Sequence, residues 1–170
     1  MMPLLSRQIA EDTCMPQIAA FIVSEVPDHR EPVNVYCRIE LKLGATSLRS
    51  DRDLERIVGE RLPLYSLDSF AGNGLSEDEI YSFVLPRRTL SHRKRRGEFL
   101  THEESDRAVR LARVISLAEE IFGEVAKAGR WLRKPKARFG GRTPLELLRT
   151  DAGARLVEEM LLQLDYGFAA

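Results

Sequence analysis

The residues with the most distinctive chemistry are six cations within eleven positions. Arg87, Arg88, Arg93, Lys94, Arg95 and Arg96 fall in residues 86–96, and no carboxylate interrupts them. The chain as a whole is neutral, with 26 basic and 26 acidic side chains, so the block is a local feature. Residues 1–85 carry 8 basic and 14 acidic side chains, and residues 97–170 carry 12 of each. A polyanion feels such a local field within a Debye length, about 8 Å at physiological salt. Guanidinium and ammonium groups contact phosphates and guanine edges, and the hydroxyls of Thr89 and Ser91 reach phosphates.

Such side chains need an element to aim them. Ser76 opens SEDEIYSFV with Glu79 three residues later, a capping box in which each side chain satisfies the other's orphan backbone N–H. Ile80, Phe83 and Val84 give that helix one apolar face. A break at Leu85-Pro86 follows, and then a second short helix bearing Arg87, Arg88, Thr89, Ser91, Arg93, Lys94 and Arg95. Two short helices joined in this way form a helix-turn-helix, whose second helix lies in the DNA major groove. The competing reading is a solvated basic face or a sequence-indifferent RNA patch. The turn also lacks the glycine that such motifs often use.

The remaining elements follow from periodicity and caps. Residues 33–43, VNVYCRIELKL, alternate apolar and polar side chains and predict a half-buried strand. A lone strand needs a partner, either residues 18–23 or the same strand of a second subunit. The alternative for this region is a mobile N-terminal arm. Ser50 precedes a short helix, DRDLERIVGE, and LPLYSLDSFA follows it. Thr101, with Glu104, starts a long helix whose Ala108, Leu111, Ala112, Ile115, Ala118 and Phe122 share one face; Gly123 stops it. EVAKAGRWLRK is the next helix, ending near Pro135, and KARFGGR reads as a flexible basic loop. Thr143-Pro144-Leu145-Glu146 is a third capping box, with proline at the first helical position, and the last helix runs from about residue 151 to 164.

Several function classes find no support. GxSxG, a phosphate loop and HExxH are all missing, and Glu158-Glu159 are adjacent and so diverge on a helix. No catalytic residue, metal ligand or cofactor is therefore expected. Cys14 and Cys37 form no disulfide framework and read as reduced thiols. No apolar run approaches the ~18–20 residues of a membrane span, and residues 1–16 lack a signal-peptide core, so a cytoplasmic protein is expected.

A wider pattern carries a resemblance. RRTLSHRKRRGEFLTHEESDRAVRLARV, then EEIFG, WLRKP and FGGRTPLELLRTDAGARLVEEMLLQLDYGFAA, resemble the Xre/MbcA/ParS family of bacterial antitoxins over roughly residues 62–170. The resemblance implies a mainly α protein: an Xre-like helix-turn-helix region over 61–100 and a compact helical toxin-binding domain over 101–170. The resemblance further implies operator binding with autorepression, and neutralisation of a RES-domain toxin that degrades NAD or transfers its ADP-ribose. Residues 1–60 lie outside it; from the alternation near 33–43 they are expected to hold a short β element and to serve in dimerisation. Blocking of the toxin's NAD pocket would fall to loops and the C-terminal end: Trp131, Arg138, Gly140, Gly141, Arg142, Tyr166, Gly167 and Phe168. A homodimer forming a hetero-oligomer with the toxin is expected. The alternative is a stand-alone dimeric regulator whose C-terminal helices only dimerise. Structural roles compete at each position. Trp131 fits a core, Gly140 and Gly141 fit a turn, and Tyr166 and Phe168 can fold back on the last helix. Leu145, Leu148, Leu156 and Leu161 read as packing residues.

Overall fold

The computed structural model describes residues 35–167. The partner segment 18–23, Cys14 and Phe168 lie outside the described residues. Within them run α1 (Val35–Leu43), α2 (Asp51–Glu60), α3 (Tyr65–Gly72), α4 (Glu77–Phe83), α5 (Arg87–Arg96), α6 (His102–Phe122), α7 (Val125–Arg133), α8 (Pro144–Leu147) and α9 (Asp151–Asp165). A single 3-10 turn covers Ala137–Phe139. The fold is mainly α, as the sequence predicts, and no strand forms among the described residues. The only β feature there is one isolated antiparallel bridge between Pro63 and Phe99.

The centre of the assembly is α6. Its Ala108, Leu111, Ala112, Ile115 and Ala118 are buried as the periodicity predicts, but so are Ser105, Val109, Val114, Ser116 and Glu119. Burial extends round most of the helix because α1, α2, α7 and α9 all pack on it. Three alanines on the inner face keep side-chain bulk low where helices approach. Thr101 and Glu104 cap it reciprocally: the Glu104 N–H donates to Thr101 Oγ1 at 3.2 Å, and the Thr101 N–H donates to Glu104 Oε2 at 2.8 Å. At the other end Gly123 takes a φ of +64°, a left-handed stop that residues with a Cβ resist.

Where the strand was expected over 33–43, the described part, Val35–Leu43, is a helix. Val35, Ile39 and Leu43 satisfy a period of two and also recur every four residues, so the apolar pattern fits both geometries. The helix wins because it turns Ile39, Lys42 and Leu43 inward together, whereas Leu41, which a strand would bury with Ile39 and Leu43, is 68% exposed. Lys42 is the decisive side chain. Its Nζ donates to Glu119 Oε2 of α6 at 2.7 Å, with both side chains nearly inaccessible. Arg38 adds a second link, to Glu120, at 3.1 Å.

The helix α9 is fixed by a bidentate contact in which Arg113 Nε and Nη2 meet Glu158 at 2.7 and 2.9 Å. Leu145, Leu148 and Leu161 are buried, but Leu156 is 51% exposed and is not a packing residue in this chain. It sits at α9's outer face, whereas Gly153, Ala154, Val157 and Leu161 face the core.

Candidate nucleic-acid and partner interfaces

The α4–α5 pair is built on a short apolar turn. Val84 and Leu85 are buried at 2% and 1% exposure, and both donate backbone N–H groups back to the Ile80 carbonyl. Positive-φ residues other than glycine are only Ser47 and Arg61 among the described residues, so this turn has no need of glycine. Pro86 then sets the start of α5, with φ −57° and ψ 142°. The helix buries Leu90 and little else.

The cations on α5 divide into two groups. Arg93 is half-buried and pairs with Glu104, the α6 capping residue, and also lies 3.7 Å from Glu98. Lys94 Nζ meets both carboxylate oxygens of Asp68 on α3, at 2.6 and 2.9 Å. Arg96 pairs with Glu98 at 3.1 Å. Among the described residues, Arg87, Arg88 and Arg95 form no ion pair; Arg87 lies over the Tyr81 ring at 5.7 Å. Arg87, Ser91 and Arg95 recur every four residues, and Arg88 and His92 run beside them, all exposed. Thr89 is half-buried at the flank of this face. The charge reading of the block misses His92. A helical projection from Arg87 finds it at once.

The other expected contact set gathers at the far end of the chain. Trp131 is half-buried, packs on Phe122 with ring centroids 5.6 Å apart, and has Lys136 Nζ 4.8 Å from its own centroid. Burial and the nearby Lys134 hold the Lys136 ammonium below its ordinary pKa. The stretch read as a flexible loop is a closed turn. Lys136 donates to the Arg142 carbonyl and accepts from Phe139 and Gly141, each at 3.0 Å, and Phe139 is buried beneath. Gly140 and Gly141 have φ of +64° and +80°, which fits their expected turn role. A Cβ on either would meet nothing within 4 Å, so their outer side is open. Arg138 Nη1 donates to Gln163 Oε1 of α9 at 2.7 Å, which brings the glycine turn beside the end of the last helix. Arg142 is exposed, with Nε 3.4 Å from the Phe139 carbonyl. Tyr166 is 71% exposed, and Gly167 has a φ of +72°.

Two arginines from the C-terminal third reach α4, a link that no sequence pattern signals. Arg133 Nε and Nη2 each donate to the Glu79 carboxylate at 2.7 Å. Burial alone would raise the Glu79 pKa, but the hydrogen bonds from Arg133 and from the Ser76 backbone outweigh it and hold the carboxyl below its usual range. Arg149 donates to the Ser82 carbonyl at 3.2 Å and to Ser82 Oγ at 2.7 Å, with its guanidinium 4.6 Å from the Phe83 centroid.

Comparison with known proteins divides the chain at α6. Residues 53–113 match the antitoxin Xre-like helix-turn-helix domain, and residues 117–167 match the antitoxin Xre/MbcA/ParS C-terminal toxin-binding domain. An "Antitoxin Xre" of Pseudomonas putida is 38% identical over 131 residues, covering 77% of this chain and 82% of the relative. The chain belongs to the Xre antitoxin family. Another "Antitoxin Xre", from Yersinia enterocolitica, is 36% identical over 84 residues, covering 49% of this chain and 57% of that protein. One from Photorhabdus laumondii is 29% identical over 121 residues, covering 69% and 81%. As an Xre-family antitoxin the chain combines a helix-turn-helix region containing α4 and α5 with a toxin-binding region containing Trp131, the glycine turn and α9. Among the described residues no three His, Cys, Asp or Glu side chains converge as a metal site. No helix there is long and apolar enough to cross a membrane.

Proposed function

We propose that this antitoxin binds operator DNA through α5, represses its own operon, and neutralises a RES-domain toxin in the cytoplasm by occupying the toxin's NAD pocket. The toxin would be one that degrades NAD or transfers its ADP-ribose. The DNA contacts would be Arg87, Arg88, Thr89, Ser91 and Arg95, with Arg93 and Lys94 contributing field more than contact because carboxylates already hold them. The division proposed is 61–100 for DNA and 101–170 for the toxin, with 1–60 serving the contact between two subunits.

The observation that carries the toxin reading is the Arg138–Gln163 hydrogen bond. It ties a basic glycine turn to the end of α9, with Tyr166 and Gly167 just beyond. Trp131, Arg138, Gly140, Gly141, Arg142, Tyr166, Gly167 and Phe168 would be the toxin contacts. Aromatic and arginine anchors supply much of the energy at such contacts. A concave pocket shaped for a dinucleotide pyrophosphate suits a guanidinium followed by an aromatic ring.

Truncation after Leu164 tests the proposal. The shortened chain, co-expressed with the product of the neighbouring open reading frame, should fail to protect cells and fail to co-purify, while still shifting promoter DNA. Full protection by the shortened chain would overturn the pocket-blocking role.

A further inference from the structure

The chain holds two asparagines, Asn34 and Asn73, and of these Asn73 alone is followed by glycine. A glycine leaves its own amide nitrogen unshielded, so an Asn–Gly pair is where the main chain most readily attacks the preceding side chain. Asn73 follows α3 in the turn that leads to α4, and its side chain is exposed. Its Nδ2 donates to the Ser69 carbonyl at 2.9 Å, which is the one hydrogen bond of that side chain among the described residues. The Gly74 N–H meets no acceptor among them, so the attacking nitrogen is not already engaged.

The fold itself asks for the glycine. Gly74 has a φ of +140°, and a Cβ there would lie 3.2 Å from Ile115 Cγ2 and 3.5 Å from Lys42 Cε. The packing of α1 and α6 beside this turn therefore places a glycine directly after an exposed asparagine. The Gly74 carbonyl also takes part in the tie to α7: it accepts from Arg133 Nη2 at 3.2 Å, the same nitrogen that donates to Glu79 at 2.7 Å.

We propose that Asn73 is a site of spontaneous deamidation, and that the conversion loosens the tie between Arg133 and the α3–α4 turn. The Gly74 nitrogen gives its proton to solvent and bonds to Asn73 Cγ; the Cγ–Nδ2 bond breaks and Nδ2 leaves as ammonia. Water then opens the five-membered imide. Opening at Cγ gives aspartate, and opening at the main-chain carbonyl gives isoaspartate, whose backbone runs through Cγ. Nothing is oxidised or reduced, and water is the only co-reactant. Ring closure requires the amide to leave Ser69 and the Asn73 ψ to move from 43°, so the fold slows the step without forbidding it.

Both products cost the turn a contact. A carboxylate cannot donate to the Ser69 carbonyl, and it puts negative charge at the C-terminal end of α3, where the helix dipole opposes it. Isoaspartate also adds a methylene to the main chain ahead of Gly74. With Ile115 and Lys42 close on one side, the extra length carries the Gly74 carbonyl away from Arg133.

The test is peptide mapping by mass spectrometry of the full chain, held at physiological temperature in mildly alkaline buffer, beside a synthetic peptide of residues 69–78. The Asn73 fragment of the full chain should gain about one dalton, roughly tenfold more slowly than the free peptide, and become a substrate for isoaspartyl methyltransferase. Asn34, which precedes the branched Val35, should stay intact. The converted fraction, separated by charge, should melt a few degrees below the fresh chain. Asn73→Asp lacks the added methylene and should fall less, and Asn73→Gln should show no mass change. A folded chain that keeps Asn73 intact while the peptide converts overturns the proposal, by showing that the Ser69 bond locks the amide. Equal conversion at Asn34 and Asn73 also overturns it, by assigning the chemistry to unfolded chain. Conversion with an unchanged melting temperature refutes the loosening of the Arg133 tie.

Discussion

Arg133 grips Glu79 through two 2.7 Å hydrogen bonds across 54 residues of sequence. Arg133 closes α7, in the toxin-binding region, and Glu79 is the capping residue of α4, in the helix-turn-helix region. One carboxylate therefore completes a local cap and a long-range clasp at once. The two regions that match separate family descriptions share this clasp, the Arg149–Ser82 contact and the single helix α6.

The clasp makes a pH prediction. Glu79 has a depressed carboxyl pKa in the folded chain, so its contribution to stability is present above the ordinary carboxylate value and is lost as pH falls through the folded value. Urea melts should show declining stability from about pH 4.5 downward. Glu79→Gln should remove about 1–2 kcal/mol at pH 7 and flatten that part of the acid dependence. A variant with the same acid profile as the native chain would refute the assignment.

The buried Lys42–Glu119 pair predicts an asymmetry. Lys42→Met leaves a carboxylate buried with only Arg38, 3.7 Å away, to answer it, and should lower stability by about 3 kcal/mol. Adding Glu119→Leu removes the orphan charge and should recover most of the loss. Chemical denaturation of the two variants measures this, and equal loss in both would show that packing, not charge, decides the site.

Two helical glycines should respond oppositely to alanine. A Cβ on Gly153 would come 2.1 Å from the Leu147 carbonyl oxygen, a backbone atom that cannot move aside cheaply. Gly153→Ala should destabilise the chain by about 2 kcal/mol or more. At Gly59, in α2, an added methyl would meet nothing within 4 Å, and Gly59→Ala should stabilise by about 0.4–1 kcal/mol. Thermal melts of the two variants should move in opposite directions.

The α5 helix, proposed to meet DNA, yields a separation of roles. Arg88→Ala with Arg95→Ala should reduce the DNA salt slope by about two and leave the melting temperature unchanged, because neither side chain has an ion-pair partner among the described residues. Arg93→Ala should instead lower stability by about 1–2 kcal/mol, since it takes the cation from the mostly buried Glu104 carboxylate and leaves it only the Thr101 N–H. Comparable loss of stability in the Arg88/Arg95 variant would show that these side chains serve the fold.

What the chain's sequence determined by itself is what closes within a few residues. The capping boxes at Ser76, Thr101 and Thr143, the caps at Ser50 and Thr150, and the stop at Gly123 are satisfied by atoms three or four positions away. Helix starts at four of these points, and the α4–turn–α5 unit, were legible for that reason. The family pattern was legible too, because it is a joint spacing along the chain. Tertiary structure decided what local chemistry leaves degenerate. Residues 35–43 carry apolar positions compatible with two periods, and only docking on α6, with Lys42 meeting Glu119, selects the helix. Six cations look alike in sequence, and only Asp68, Glu98 and Glu104 distinguish those that meet a carboxylate from those that do not among the described residues. The reach of Arg133 and Arg149 to α4 spans more than fifty residues, and such partners are chosen by how the helices pack, a choice that no short window of the chain contains.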